Sequence, residues 1–158
     1  MISGKTSSLI ATSIRFGALL AGASPAVTES LTAYGELIGT VFQLADDVID
    51  IASETNESGK TPGTDLREGV PTLVTLYILE SKDPQDAELR KILSGPITDE
   101  TVVATTLAAL RKHEALSNAR RILVEYADRA RAQLVSLPDG AAKDALFNLC
   151  EAIITRTA

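Results

Sequence analysis

The sequence predicts an all-α protein, and three observations carry that expectation. Apolar residues make up 45% of the 158 positions, enough for the chain to bury a core of its own. Gly, Pro and aromatic residues are sparse while Ala, Leu, Ile, Thr and Glu abound, which suits helices better than short strands and turns. The apolar residues also recur in steps of three and four over long stretches. No internal repeat, low-complexity tract or dividing linker is visible, so residues 1–158 read as a single helical domain.

A first helix, over about residues 2–22, spaces Ile10, Ile14, Gly17 and Leu20 along one face and stops at Gly22-Ala23-Ser24-Pro25. Ser24 is placed to cap a second helix, with Pro25 at its first position, where the missing N–H costs nothing. Leu31, Tyr34, Ile38, Val41, Ala45 and Val48 then form the seam of a long core helix of about 25 residues. From 54 to 70, three glycines and a polar run predict an ordered loop, and loops of this length are usually functional. Pro71 opens a short helix to about Ser81, another fits 84–94, and Thr98 caps one running to about His113. The last two fit 114–136 and 141–156, either side of Leu137-Pro138-Asp139-Gly140.

A formal charge of −6 with no block of Lys or Arg argues against a nucleic-acid surface. The single cysteine, Cys150, lies among Leu146, Phe147, Leu149 and Ile153 and reads as a core residue. No basic-then-apolar-then-small leader opens the sequence. Arg15 interrupts the apolar window 9–23, and Glu36, Asp46 and Asp47 interrupt 31–49, so neither reads as a membrane span. A cytoplasmic protein is the expectation.

Chemistry gathers on the second helix, where Gln43, Asp46, Asp47 and Asp50 share the side opposite the apolar seam. Three carboxylates within five residues repel one another by some tenths of a kcal/mol per pair unless a cation neutralises them. An acidic helix stripe is ordinarily solvated surface. Here Phe42, Leu44, Val48 and Ile49 flank it, which places the carboxylates in a cleft rather than in open water. Such a cleft suits Mg2+, which takes one or two carboxylates, keeps several waters and completes its shell with phosphate oxygens. Two further features are weak alone and stronger together: Lys60 in the Gly59-Lys60 … Gly63-x-Asp65 loop, and Lys5-Thr6 near the start of the first helix. If the first two helices pack antiparallel, as their short connection suggests, all three features converge.

In this order and spacing, Lys5-Thr6, Phe42-Gln43-Leu44-Ala45-Asp46-Asp47-Val48-Ile49-Asp50 and Gly59-Lys60-x-x-Gly63-x-Asp65-Leu66 resemble the C-terminal motifs of the trans-isoprenyl (polyprenyl) diphosphate synthases. Residues 42–50 are similar to the family's second aspartate-rich motif, and Tyr126-Ala127-Asp128 and Leu137-Pro138 to its terminal helices. The resemblance implies an isoprenoid-synthase-type helical bundle, here incomplete. It implies Asp46, Asp47 and Asp50 as Mg2+ ligands, directly or through water, and Lys5, Thr6, Gln43 and Lys60 as the residues that bind the leaving diphosphate. The implied substrates are an allylic diphosphate and isopentenyl diphosphate.

The chain departs from the family pattern at Val70 and Val74, where many relatives carry a lysine and a proline. It also lacks the first aspartate-rich motif and the Gly-Gly-Lys-x-x-Arg-Pro segment of the family's N-terminal part. A truncated prenyltransferase, inactive or nearly so by itself, is therefore expected. It is expected to act as a homodimer or with a chain carrying the first motif. The alternative is a non-catalytic or regulatory subunit of a heteromeric synthase. A terpene cyclase is disfavoured, because Asp46, Asp50 and Glu54 place a carboxylate where that class has a hydroxyl.

Overall fold

A computed structural model of the chain describes residues 6–53 and 61–157, and every regular element among them is helical. In order these are α1 (Thr6–Leu20), α2 (Pro25–Ala52), α3 (Thr64–Glu68), α4 (Leu73–Glu80), a 3-10 turn (Pro84–Asp86) running into α5 (Ala87–Ile92), α6 (Glu100–Leu110), α7 (Glu114–Leu134) and α8 (Ala141–Thr155). None of the described helices is long and apolar enough to cross a membrane. These residues fall into two compact units: those up to Ala45 with Ile122–Arg156, and Asp46–Arg121 with Thr157.

In the first unit α2 begins as its sequence dictates, with Ser24 Oγ accepting the Val27 N–H at 3.4 Å and Pro25 as first residue. Tyr34, Ile38, Val41 and Ala45 are buried along its seam. The face of α1 differs from expectation. Ser7, Ala11 and Ala18 are buried, whereas Gly17 and Leu20 are exposed. The cause lies on α2. A Cβ on Gly35 would sit 2.7 Å from Ala11 Cα, and one on Gly39 would sit 2.5 Å from Ser7 Cα. The two backbones therefore touch along a strip where only small side chains fit, and the pairing of 11 with 35 and 7 with 39 makes α1 and α2 antiparallel. Ser7 and Thr40 hydroxyls meet at 3.3 Å on the same strip. Leu123, Ala127, Ala130 and Leu134 of α7 and Cys150 and Ile153 of α8 are also buried in this unit. The buried Tyr34 hydroxyl donates to the Leu146 carbonyl at 2.9 Å, and the Cys150 thiol lies 4.0 Å from it.

In the second unit the last turns of α2 (Val48, Ile51) pack with Leu66, Val74, Ile78, Ile97, Val103, Leu107, Leu110 and Leu116. Arg111 closes the end of α2 by donating to the carbonyls of Ile51 (2.9 Å) and Ser53 (2.6 Å), a cation on the negative end of a helix. His113 turns the corner into α7: its Nδ1 accepts the Ala115 N–H, leaving Nε2 to donate to Asp86 at 2.9 Å. Three expectations need correction. The segment 54–70 is not all loop, since α3 forms inside it, and α6 is capped by Asp99 rather than Thr98, with the Asp99 carboxylate accepting the N–H of Thr101 and Val102. Likewise α4 starts at Leu73, where Thr72 and Thr75 make a reciprocal cap, rather than at Pro71.

Candidate functional site

The helical period sets the site. Asp46, Asp50 and Gln43 lie within about 60° of one another around α2, with Asp47 at the edge, about 100° from Asp46. Burial follows that geometry: Gln43, Asp46 and Asp50 are half-buried, while Asp47, next to the buried side of the helix, is only 8% exposed. The flanks are less enclosed than their apolarity suggests. Leu44 and Val48 are buried and Ile49 is half-buried, but Phe42 is 42% exposed on the open side of the stripe.

Asp50 has a second task that the sequence pattern does not show. Its backbone carbonyl accepts the Gly63 N–H at 2.9 Å, and its two carboxylate oxygens accept the N–H groups of Thr64 and Asp65, each at 3.1 Å. It thus caps α3 and fastens the 61–69 segment to the end of the acidic helix. Gly63 and Gly69 at the ends of α3 both have positive φ, and a Cβ on either would press on Val103 or Pro96. Arg67 completes the fastening with two bonds to Glu100, at 2.9 and 2.8 Å, and one to the Pro62 carbonyl at 2.7 Å.

One product of this arrangement is a fourth carboxyl group beside the stripe. Asp65 is pushed up to about 6, first by burial and then by the charges of Asp50, Asp47, Asp46 and Glu68. Among the described residues no three His, Cys, Asp or Glu side chains form a ready ligand set for a metal. A cation held by one or two carboxylates, water and phosphate needs no such cage.

In the first unit, Thr6 is the first residue of α1, next to Ser7, which packs on Gly39 and Thr40. The antiparallel pairing puts Thr6 at the end of α1 nearest Gln43, one turn beyond Gly39. Lys5, Lys60 and Glu54 lie outside the described residues.

The sequence pattern of the polyprenyl synthetase family matches residues 1–110, more than half of the chain. The chain belongs to that family. Among polyprenyl synthetases it is 43% identical over 156 residues to the nonaprenyl diphosphate synthase of Mycobacterium tuberculosis, a match that takes in 99% of this chain and 47% of that protein. Its fold matches the crystal structure of the Corynebacterium glutamicum geranylgeranyl pyrophosphate synthase complexed with calcium and isoprenyl diphosphate. There the TM-score is 0.91 at 44% identity, over 99% of this chain and 48% of that one. A polyprenyl synthase of Caulobacter crescentus, also complexed with calcium and isoprenyl diphosphate, gives 0.89 at 32% identity over 99% and 48%. The chain spans about half the length of these relatives.

Within this polyprenyl synthetase motif Asp65 makes a measurable prediction. A carboxyl whose folded value is raised from 3.8 to about 6 contributes stability that is complete below about pH 4 and is lost as pH rises through about 6. Asp65 is only half-buried, so screening reduces the effect to about 1 kcal/mol. Thermal melts in chelator should therefore fall by ~2–4 °C between pH 5 and 7.5. Asp65→Asn should remove that slope, and Mg2+ at pH 7.5 should recover the loss. An equal slope in the variant would exclude Asp65 as its source.

Proposed function

We propose that this chain forms one wall of a trans-polyprenyl diphosphate synthase, the wall that holds Mg2+ against the diphosphate of an allylic substrate while isopentenyl diphosphate is added. The observation that carries the reading is the open side of α2, where Gln43, Asp46 and Asp50 stand together with Asp47 at the edge and Asp65 drawn alongside. The calcium and isoprenyl diphosphate of the solved relatives support it, since calcium and magnesium are both hard cations that seek oxygen.

The residues fit such a cation, because burial and then the charges of Asp50, Asp47 and Asp46 disfavour the ionised carboxyl group of Asp65, and a cation relieves it. Asp46 and Asp47 would hold Mg2+. Asp50, with both oxygens accepting N–H groups, would act on the ion only through water, and it keeps the 61–69 segment in place. When bound, Mg2+ supplies the charge that stabilises the departing diphosphate. The Gln43 amide and Thr6 hydroxyl donate to the diphosphate oxygens, and Lys5 and Lys60 add positive charge. The reaction is ionisation of the allylic C–O bond, attack by the isopentenyl double bond, and loss of a proton to the departing pyrophosphate.

A cytoplasmic homodimer, or a pair with a chain bearing the facing aspartate-rich helix, is the working form. By itself the 158-residue chain is inactive or nearly so. Calorimetric titration with inorganic pyrophosphate tests the site. Binding should require Mg2+ and weaken on the order of 10–100-fold in Asp46→Ala. Binding without Mg2+, or binding unmoved by the substitution, would sink the reading. Sustained chain elongation by the isolated chain would refute the one-wall proposal and leave a self-sufficient enzyme.

A further inference from the structure

The turn after α3 leaves a cavity that the proposed chemistry does not use. It measures about 420 Å3 and lies wholly within the second unit, between α3, the turn Gly69-Val70-Pro71, α4 and the end of α5. Small-molecule sites usually span about 300–1,000 Å3, so there is room for a ligand of several heavy atoms. Leu66, Val70, Leu79, Leu93 and Ile97 make most of the wall apolar. Its frame is fixed by the backbone. The Val70 N–H donates to the Asp65 carbonyl at 2.9 Å, the Ile97 N–H donates to the Leu66 carbonyl at 3.0 Å, and a Cβ on Gly69 would sit 2.9 Å from the Pro96 nitrogen.

The polar side chains on this wall are Thr75, Ser94 and Asp65. The first two are engaged: the Thr75 hydroxyl donates to the Thr72 carbonyl at 3.0 Å, and the Ser94 hydroxyl donates to the Lys91 carbonyl at 2.8 Å. The half-buried Asp65 carboxyl group has no hydrogen-bond partner among the described residues, and it lies in the field of Asp50, Asp47, Asp46 and Glu68. None of the described residues that line the cavity is Lys, Arg or His. Arg67, on the same short helix as Asp65, is committed to Glu100 and the Pro62 carbonyl.

These walls select a ligand by exclusion. An anion is repelled by the carboxylates. A neutral apolar molecule covers the Asp65 carboxylate without offering it a donor, which is costly. A bare metal ion meets the charge and leaves the apolar wall in water. An alkylammonium meets both needs, since its stem covers the wall and its N–H groups make charge-assisted hydrogen bonds to the carboxylate. Position 70 agrees: where many relatives carry a lysine, whose side chain is itself a butylammonium, this chain has a valine and supplies no such group. We infer that the cavity is a binding site for a primary alkylammonium group, with its stem against Val70, Leu79 and Leu93 and its nitrogen on the Asp65 carboxylate. Neither Mg2+ nor diphosphate binding is needed for it.

n-Butylammonium titrated into the chain in chelator at pH 7.5 should bind saturably, read from the amide resonances of Gly69, Val70 and Gly95. 1-Butanol has the same number of heavy atoms and no charge, and it should bind about tenfold more weakly. Asp65→Asn, which keeps the shape, and Val70→Lys, which tethers a competing ammonium at the cavity, should each weaken butylammonium binding about tenfold. Both variants should keep the circular dichroism of the parent, because the Asp65 carboxyl group holds no described residue and Val70 is 45% exposed. Asp46→Ala should still bind the amine, so loss of pyrophosphate binding and loss of amine binding report separate failures. Nα-acetyl-lysine N-methylamide separates the sources of the group: binding as tight as that of butylammonium assigns the site to a peptide lysine, and weaker binding assigns it to a free amine. No saturable amine binding, butanol binding as tight as the amine's, or amine binding unmoved in either variant would overturn the inference.

Discussion

Gly39→Ala together with Gly35→Ala should destabilise the chain by about 3 kcal/mol, while Gly17→Ala should stabilise it by about 0.5–1 kcal/mol. All three replace a helical glycine, so each removes the same backbone entropy penalty. The difference is what the new methyl group meets. At 35 and 39 it meets the α1 backbone at 2.7 and 2.5 Å, atoms that cannot swing aside, so the helices must part and Ser7 and Ala11 lose their contacts. At 17 nothing lies within 4 Å. Thermal melts of the variants check the sign directly. A double variant as stable as the parent would mean that α1 does not lie on α2 at this distance.

Asp50→Ala should cost about 1–2 kcal/mol of stability and also weaken Mg2+-dependent pyrophosphate binding on the order of 10–100-fold, whereas Asp46→Ala should weaken binding without that loss of stability. The carboxylate of Asp50 accepts two N–H groups of α3, and alanine leaves both without it. Asp50→Asn separates the two tasks. Its amide oxygen retains one of the bonds and so recovers part of the stability, but binding should stay weakened because the charge is gone. Parallel denaturant titrations and calorimetry on the three variants supply the comparison. If Asp50→Ala binds pyrophosphate as the parent does, Asp50 is an anchor for the 61–69 segment and nothing more.

The acidic stripe and the seam of α2 were legible because both follow from one period repeated over a long helix, and Ser24-Pro25 announces where that helix starts. The buried face of α1 was not. Ile10, Ile14, Gly17 and Leu20 look like a core stripe when large apolar residues are counted. Helices whose backbones touch select for small ones, and Gly35 and Gly39 show as a contact surface only when read with Ser7 and Ala11. Helix α3 was hidden for another reason. Five residues between two glycines cannot sustain a helix by local propensity, and its cap comes from Asp50, 14 residues earlier in the chain. Asp65 was visible as part of a motif, but its displaced acidity arises only once that cap brings it beside Asp50.

The chain has one cysteine and one histidine, and they fall in different units: Cys150 buried near Tyr34, His113 at the corner that leads into α7. Each unit thus carries its own natural reporter, needing no label. Reaction of the thiol with a chromogenic disulfide times the opening of the first unit, and the imidazole proton resonances follow the second. If residues 1–158 are one cooperative domain, both signals should vanish at the same denaturant concentration, and a gap between them would show the units melting in turn.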